Sequence, residues 1–242
     1  MKKLSIAIIG YGKMGKEIEK FAINKGHTIA CTIDSDTDWN EKRDLLKKAD
    51  IAIEFSIPQV AVENIKKCFD LNLAIVTGTT GWHNHLAEIS NICKEKNQTI
   101  FYASNYSIGV NILFEMNKKL ASIMKNFDDY NPEIKEIHHI HKLDAPSGTA
   151  ISLANGIIEN NPKYKSWKLA EEISTNEEIS INALREGNIF GIHEVTYFSE
   201  IDFLKISHSA NSRIGFVKGA LMAAEWVYDK KGIYTMQDLL NF

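Results

Sequence analysis

The first hundred residues alternate short, uniformly apolar runs with longer stretches whose apolar residues recur at helical spacing. "LSIAIIG" (4–10), "HTIACTID" (27–34), "DIAIEFS" (50–56), "LAIVTGTT" (73–80) and "QTIFYAS" (98–104) read as five strands. Between the first two, Ile18, Phe21 and Ala22 share a helical face, and Gly26 is a natural stop. Helical patterns also occupy the intervals near 59–70 and 84–96. Strands that are apolar on both faces and separated by helices predict a parallel sheet covered on both sides. The expected fold class is therefore α/β, beginning with a Rossmann-like doubly wound sheet with right-handed crossovers.

The pattern changes after Asn105. Residues 109–127 read as one long helix with Ile112, Met116, Leu120 and Ile123 along a stripe. Alternating segments follow at "EIKEIHHIH" (133–141), "EEISINALREG" (177–187), "NIFGIHEVTYFS" (188–199) and "EIDFLKISHSA" (200–210). They predict a second, α+β domain with a mixed or antiparallel sheet. From Arg213 the chain returns to helix, and its apolar face packs most economically on the first sheet. The expected organisation is a discontinuous dinucleotide-binding domain (1–108 and 211–242) around an inserted substrate-binding and assembly domain (109–210).

Composition narrows the function. A net charge of −3 gives no general reason for binding nucleic acid or an anionic membrane. No apolar run approaches the ~20 residues that span a bilayer. The opening "MKKLSIAIIGYGKMG" imitates a secretion signal only briefly, because its short apolar run enters a glycine-patterned turn without a small-residue cleavage site. Cys31, Cys68 and Cys93 are odd in number and widely spaced, which disfavours a disulfide framework and a cysteine zinc site. A reducing, cytoplasmic location is expected.

Gly10, Gly12 and Gly15 form G-x-G-x-x-G between the first strand and the first helix. The first glycine permits the tight turn, the second lets backbone approach a pyrophosphate, and the third lets the helix pack on the strand. Tyr11, Lys13 and Met14 complete that loop, whose free N–H groups face anions. Asp34 ends the second strand nineteen residues past Gly15, where a carboxylate bonds the ribose hydroxyls and repels a 2′-phosphate. This favours NADH over NADPH, although Lys42 and Arg43 are near enough in sequence to keep NADPH open. The loops "TGTTGW" (77–82) and "ASNYS" (103–107) follow the fourth and fifth strands, where ligands of open parallel sheets gather.

The densest chemistry is "HHIHKLDAPSGTA" (138–150), which holds three of the eight histidines and a lysine ahead of a rigid turn. A metal site there lacks a Cys-rich or HExxH partner pattern. On a continuing strand His139 and His141 would share one face and His138 the other, a constraint that relaxes if the strand stops near His138. No metal is therefore expected. Imidazoles and the Lys142 ammonium cluster at a cost that an anion offsets. Gly148 and Thr149 open a new helix, Ser147 or Thr149 can cap it, and its N-terminus offers N–H groups to a carboxylate. The set suits a small dicarboxylate and can deliver a proton.

"EIHHIHKLDAPSGTA" (136–150), with "GYGKMG", "GTTGW", "ASNYSIGVN" and "SHSANSR" in the same order, resembles the dihydrodipicolinate (4-hydroxy-tetrahydrodipicolinate) reductase family over nearly the whole chain. The resemblance implies NADH- or NADPH-dependent reduction of 4-hydroxy-tetrahydrodipicolinate to tetrahydrodipicolinate, in diaminopimelate and lysine biosynthesis, by a homotetramer. It implies a proton donor/acceptor at His138, a second proton donor at Lys142, and carboxylate contacts at His139, Gly148 and Thr149. Dinucleotide contacts are implied at Gly10, Tyr11, Gly12, Lys13, Met14, Gly15, Asp34, Gly78, Thr79, Thr80, Ala103, Ser104, Asn105 and Tyr106. Arg213 matches an arginine near the return to the first domain and receives no role. The chain departs from the family at Ile57 and Ile140, where a cation is common, and in its compact glycine turn. On the implied mechanism, hydride addition leaves an electron-rich ring carbon, which a cationic His138 or Lys142 protonates.

Overall fold

A computed structural model describes residues 2–170 and 176–242. The chain forms two compact units, one running to Ser107 and resuming at Ile214, the other spanning Ile108–Arg213.

The first unit runs β1 (Ser5–Ile9), α1 (Lys13–Asn24), β2 (Thr28–Ile33), α2 (Asp36–Glu41), α3 (Arg43–Leu46), β3 (Ile51–Glu54), α4 (Pro58–Asp70), β4 (Ala74–Thr77), α5 (Leu86–Glu95) and β5 (Thr99–Tyr102). The other unit intervenes with α6 (Ile108–Met124), β6 (Asn131–His138), α7 (Gly148–Asn160), β7 (Ser166–Leu169), β8 (Glu178–Arg185), β9 (Ile192–Phe198) and β10 (Phe203–Ser209). The first unit then closes with α8 (Ile214–Val227), β11 (Gly232–Tyr234) and α9 (Met236–Leu240).

The first sheet is parallel throughout, in the order β11-β5-β4-β3-β1-β2. Strand order reverses between β1 and β3, which opens a crevice at their carboxyl ends. Ile6, Ile8, Ile51 and Ile53 point to one face and Ala7, Ile9 and Ala52 to the other, each face belonging to its own buried cluster. Two-sided burial is what makes these strands uniformly apolar rather than alternating. Helix α8 packs Val217, Ala220, Leu221 and Ala224 into the cluster over β3 and β4, as its apolar content required. Gly26 takes a positive φ of 86° beyond α1 and ends it.

The second sheet is mixed, in the order β10-β9-β6-β8-β7. Strands β10, β9 and β6 are antiparallel neighbours, whereas β6, β8 and β7 run parallel. Helices α6 and α7 pack on each other and enclose Ile134, Ile181, Val195 and Tyr197. The stripe of α6 corrects one expectation. Val110, Leu113, Asn117, Ala121 and Met124 are its buried residues, while Ile112, Met116 and Ile123 are exposed. Helix α6 is apolar around much of its circumference, so spacing alone did not choose the face.

Candidate active site

In the first unit the glycine turn behaves as its spacing requires. Gly10 has φ 86°, and a Cβ there would lie 2.2 Å from the Phe55 carbonyl oxygen. A Cβ on Gly15 would lie 2.3 Å from the carbonyl oxygen of Gly10. Gly12 differs, because nothing stands within 4 Å of the place its Cβ would take. It is the N-cap of α1 and supplies no side-chain cap to the N–H groups of the first turn. That cradle fits a pyrophosphate.

Beside it lies a cleft of about 440 Å³, bordered by Gly10 and Gly12 after β1, Asp34–Asp36 after β2, and Ser56 and Ile57 after β3. The Asp34 carboxylate accepts the Tyr11 N–H at 2.9 Å. Ser35 and Asp38 cap α2 reciprocally, and the Lys42 ammonium sits 2.5 Å from Asp38 while donating to the Thr32 carbonyl at 2.8 Å. Hydrogen bonds from Lys42 and from backbone N–H hold the Asp38 carboxyl at about 2. Lys42 is thus engaged with α2 and with the end of β2.

Gly78, Thr79 and Thr80 follow β4, and Ala103, Ser104, Asn105 and Tyr106 follow β5. The predicted dinucleotide positions thus lie at the carboxyl edge of one sheet, in loops except for Lys13, Met14 and Gly15 in the first turn of α1. Tyr106 is an exception in its side chain, which is buried and donates to the Thr77 carbonyl at 2.7 Å. The sequence reading missed Glu54. This fully buried carboxylate receives the Ser56 N–H at 3.1 Å and the hydroxyls of Ser56, Thr77 (2.5 Å) and Thr79 (2.9 Å). It ties the loops after β3 and β4 together beneath the cleft.

In the second unit β6 ends at His138, and 139–147 leave the strand in a bend. The two-face constraint therefore stops at His138, which is buried, whereas His139 is half-buried and His141 exposed. Strand alternation puts Glu136 and His138 on the face that carries Ile134. Register then supplies partners from far along the chain, pairing Glu136 with His193 on β9 and His138 with Arg185 on β8.

Glu136 is the centre of the cluster and is fully buried. Its Oε1 accepts the Ser147 N–H at 2.9 Å and Arg185 Nη2 at 3.1 Å. Its Oε2 has no hydrogen-bond partner, yet lies 3.4 Å from His138 Nδ1 and 3.7 Å from His193 Nε2. The two imidazoles meet edge to face, with centroids 5.0 Å apart. Arg185 also donates to the carbonyls of Lys142 and Asp144, which fastens the bend to the sheet. The Lys142 ammonium contacts both Asp144 oxygens, at 2.8 and 2.9 Å. Burial opposes ionisation of Asp144, but that contact wins and its carboxyl sits below the ordinary value. Ser147 caps α7 through the Ala150 N–H, and Gly148, next in line, has open space where a Cβ would be. Thr149 follows it in the first turn.

One expectation changes here. Burial pushes the His138 imidazole below its usual value, against the pull of Glu136, with Lys142 and Arg185 adding to the fall. His138 therefore rests neutral near pH 7, and the resting cation of the bend is Lys142. Burial, reinforced by His138, His208 and Lys142, takes His193 down to about 3. Glu54, Glu136, Arg185 and His193 were all absent from the sequence reading. The two acids did leave a signal, since Glu54 ends an apolar run and Glu136 alternates onto the strand face that carries Ile134.

An open glycine cradle on a doubly wound sheet, and a buried acid/base cluster on a second sheet, define a two-unit oxidoreductase that draws on a nicotinamide dinucleotide. Residues 4–106 match the family model "Dihydrodipicolinate reductase, N-terminus" and residues 109–240 match "Dihydrodipicolinate reductase, C-terminus". The chain belongs to the dihydrodipicolinate reductase family. It is 47% identical over 238 residues to the 4-hydroxy-tetrahydrodipicolinate reductase of Christiangramia forsetii, covering 98% of both chains. Among solved structures, the dipicolinate-bound dihydrodipicolinate reductase of a Paenisporosarcina species shares the fold with a TM-score of 0.74 and 21% identity, over 97% of this chain and 98% of that one. Aspartate dehydrogenase of Thermotoga maritima shares the general plan more distantly, with a TM-score of 0.51 and 13% identity over 93% and 96%. Among the described residues no helix is long and apolar enough to cross a membrane.

Proposed function

We propose that this chain reduces 4-hydroxy-tetrahydrodipicolinate to tetrahydrodipicolinate, the 4-hydroxyl leaving as water, within diaminopimelate and lysine biosynthesis. The observation that carries the reading is the bend at 138–149, where a buried imidazole lies 3.4 Å from the Glu136 carboxylate and the Ser147 N–H at the start of α7 bonds that carboxylate. Arg185 ties it to the backbone of Lys142, whose ammonium pairs with Asp144. When bound, the reduced nicotinamide supplies a hydride. The turn Gly10–Gly15 holds its pyrophosphate, and the loops 78–80 and 103–106 border the remainder. His139, Gly148 and Thr149 hold the substrate carboxylates at the start of α7, where the helix dipole favours negative charge.

His138 and Lys142 then protonate the ring carbon that the reduction leaves electron-rich. Lys142 contributes the resting positive charge. Arrival of a dianion beside His138 counters its burial and raises its affinity for a proton, so the imidazole is charged when substrate is present. Glu136 orients the ring through Nδ1 and is a positioning residue.

NADH is the preferred donor of hydride. Asp34 keeps one oxygen on Tyr11 and offers the other to a ribose hydroxyl. A 2′-phosphate would meet Asp34 and Asp36 in the cleft wall, with apolar Ile57 where the family often has a cation. Lys42 is held by Asp38 and Thr32 and is poorly free to compensate. The chain works as a homotetramer in the cytoplasm. Buried free thiols at Cys31, Cys68 and Cys93 fit a reducing compartment, and exposed Phe203 and Leu204 on edge strand β10 fit self-assembly.

The test follows absorbance at 340 nm with the freshly made condensation product of pyruvate and aspartate semialdehyde. Oxidation of NADH faster than of NADPH is expected. His138→Gln and Lys142→Ala should each lower kcat at least about 100-fold, the range of general acid–base catalysis. Turnover of both variants at the wild-type rate would refute the assignment.

A further inference from the structure

Glu136, His138 and His193 aim three donor atoms into one small volume. Glu136 Oε2 lies 3.4 Å from His138 Nδ1 and 3.7 Å from His193 Nε2, and one donor from each residue falls within 4.8 Å of the others. A tetrahedral ion with ligand bonds of about 2.0–2.2 Å spaces its ligands roughly 3.4 Å apart, so these two edges are already close to size. The carboxylate oxygen that faces the imidazoles is fully buried and lacks a hydrogen-bond partner, a state buried polar groups rarely keep. The nearby cations are already matched, Arg185 to the opposite oxygen of Glu136 and Lys142 to Asp144. Ser147 Oγ hydrogen-bonds His193 Nε2 at 3.3 Å, a contact that an ion on that nitrogen would replace.

We propose that Glu136, His138 and His193 form a binding site for a divalent transition-metal ion of the zinc class. Two imidazoles with one carboxylate suit zinc, cobalt or nickel, and are poor in the oxygen ligands that calcium and magnesium need. An ion on Nδ1 of His138 replaces a proton there and removes the ring as a proton carrier. That consequence rests on the catalytic role given to His138, whereas the binding does not.

The test is a titration of chelator-treated protein, without substrate or dinucleotide, with Co²⁺. One equivalent should bind with the visible absorption of low-coordinate cobalt, and Zn²⁺ should displace it. Glu136→Gln and His193→Ala should each weaken binding at least tenfold, so either one suffices if the other does not fold. His141→Ala and His208→Ala should bind as the wild type does. Absence of stoichiometric cobalt absorption in the wild type would overturn the site, as would unchanged binding in a folded Glu136→Gln or His193→Ala protein. Reductase activity of the chelator-treated wild type, read separately at 340 nm, keeps failure here distinct from failure of the reductase reading.

Discussion

Among the described residues each unit buries one glutamate completely near the end of a strand, and the two are solvated by the protein in different ways. Glu54 on β3 is surrounded by neutral donors, three hydroxyls and one N–H, and both its oxygens are used. Glu136 on β6 gives one oxygen to Arg185 and the Ser147 N–H and leaves the other facing two imidazoles without a hydrogen bond. An unmet buried acceptor costs about 1–3 kcal/mol, and more when charged. A fold tolerates that cost where the free valence has a use. The saturated acid fixes loops, and the half-saturated one holds a neutral histidine in readiness for a proton.

Replacement of each acid by its amide separates the two most strongly. Glu136→Gln can keep an amide oxygen on Arg185 and the Ser147 N–H, but it puts an NH₂ group where Oε2 faces the imidazoles and leaves the guanidinium without its counter-charge. A loss of about 3 kcal/mol of stability is expected in urea denaturation. A fall in kcat on the order of tenfold to a hundredfold should accompany it, since the His138 ring loses its orienting charge. An unchanged kcat would remove Glu136 from the mechanism.

Acidification should act on the same cluster next. His193 is held neutral down to about 3 in the folded protein, whereas an unfolded histidine takes a proton near ~6.5. Its folded affinity for a proton is the lower, so the unfolded state binds more protons as pH falls below that value. Stability should therefore drop by as much as about 1.4 kcal/mol per pH unit from this residue alone, beginning near ~6.5 and continuing toward the folded value. His193→Asn should flatten the dependence between about pH 6.5 and 4.5 in denaturation curves. An equal slope in the variant would contradict the assignment.

In the first unit the expected changes are smaller. Asp34→Ala should move the ratio of kcat/KM between NADH and NADPH by about tenfold toward NADPH, as one removed charge beside a phosphate implies. Lys42→Ala should leave that ratio within about twofold, because this ammonium is already spent on Asp38. Smallest of all is Glu54→Gln. The Ser56, Thr77 and Thr79 hydroxyls can rotate to accept from an amide, so a loss of about 1 kcal/mol with nearly unchanged kcat is expected. A larger loss than that of Glu136→Gln would reverse the roles of the two acids.

Much of the architecture was legible in the sequence, for a physical reason. Strands β1, β3, β4 and β5 are buried on nearly every position and so read as apolar runs, edge strand β2 is only partly buried, and β6 and β8 alternate. Strands β7 and β11, with four and three residues, are too short to show a period, and α2 and α3 lie in an acid-rich stretch whose order comes from Ser35 and Asp38 capping. The glycine turn, Asp34 and the bend were legible because their residues are close in sequence. Arg185 and His193 were not, since only sheet register brings them to Glu136 and His138, 49 and 57 positions earlier respectively for the pairs Glu136–Arg185 and Glu136–His193. A charge that ends an apolar run, as Glu54 does in "IAIEF", or that alternates onto a buried strand face, as Glu136 does in "EIKEIH", is the local trace such clusters leave.

The most direct measurement is an NMR titration of the His138 imidazole in the ligand-free protein, wild type and Glu136→Gln. A midpoint below the ordinary ~6.5 is expected in the wild type, and a further fall in the variant once the attracting carboxylate is neutral. A wild-type midpoint above that value, or one that Glu136→Gln leaves in place, would contradict the view that Glu136 holds a neutral His138 ready for its proton.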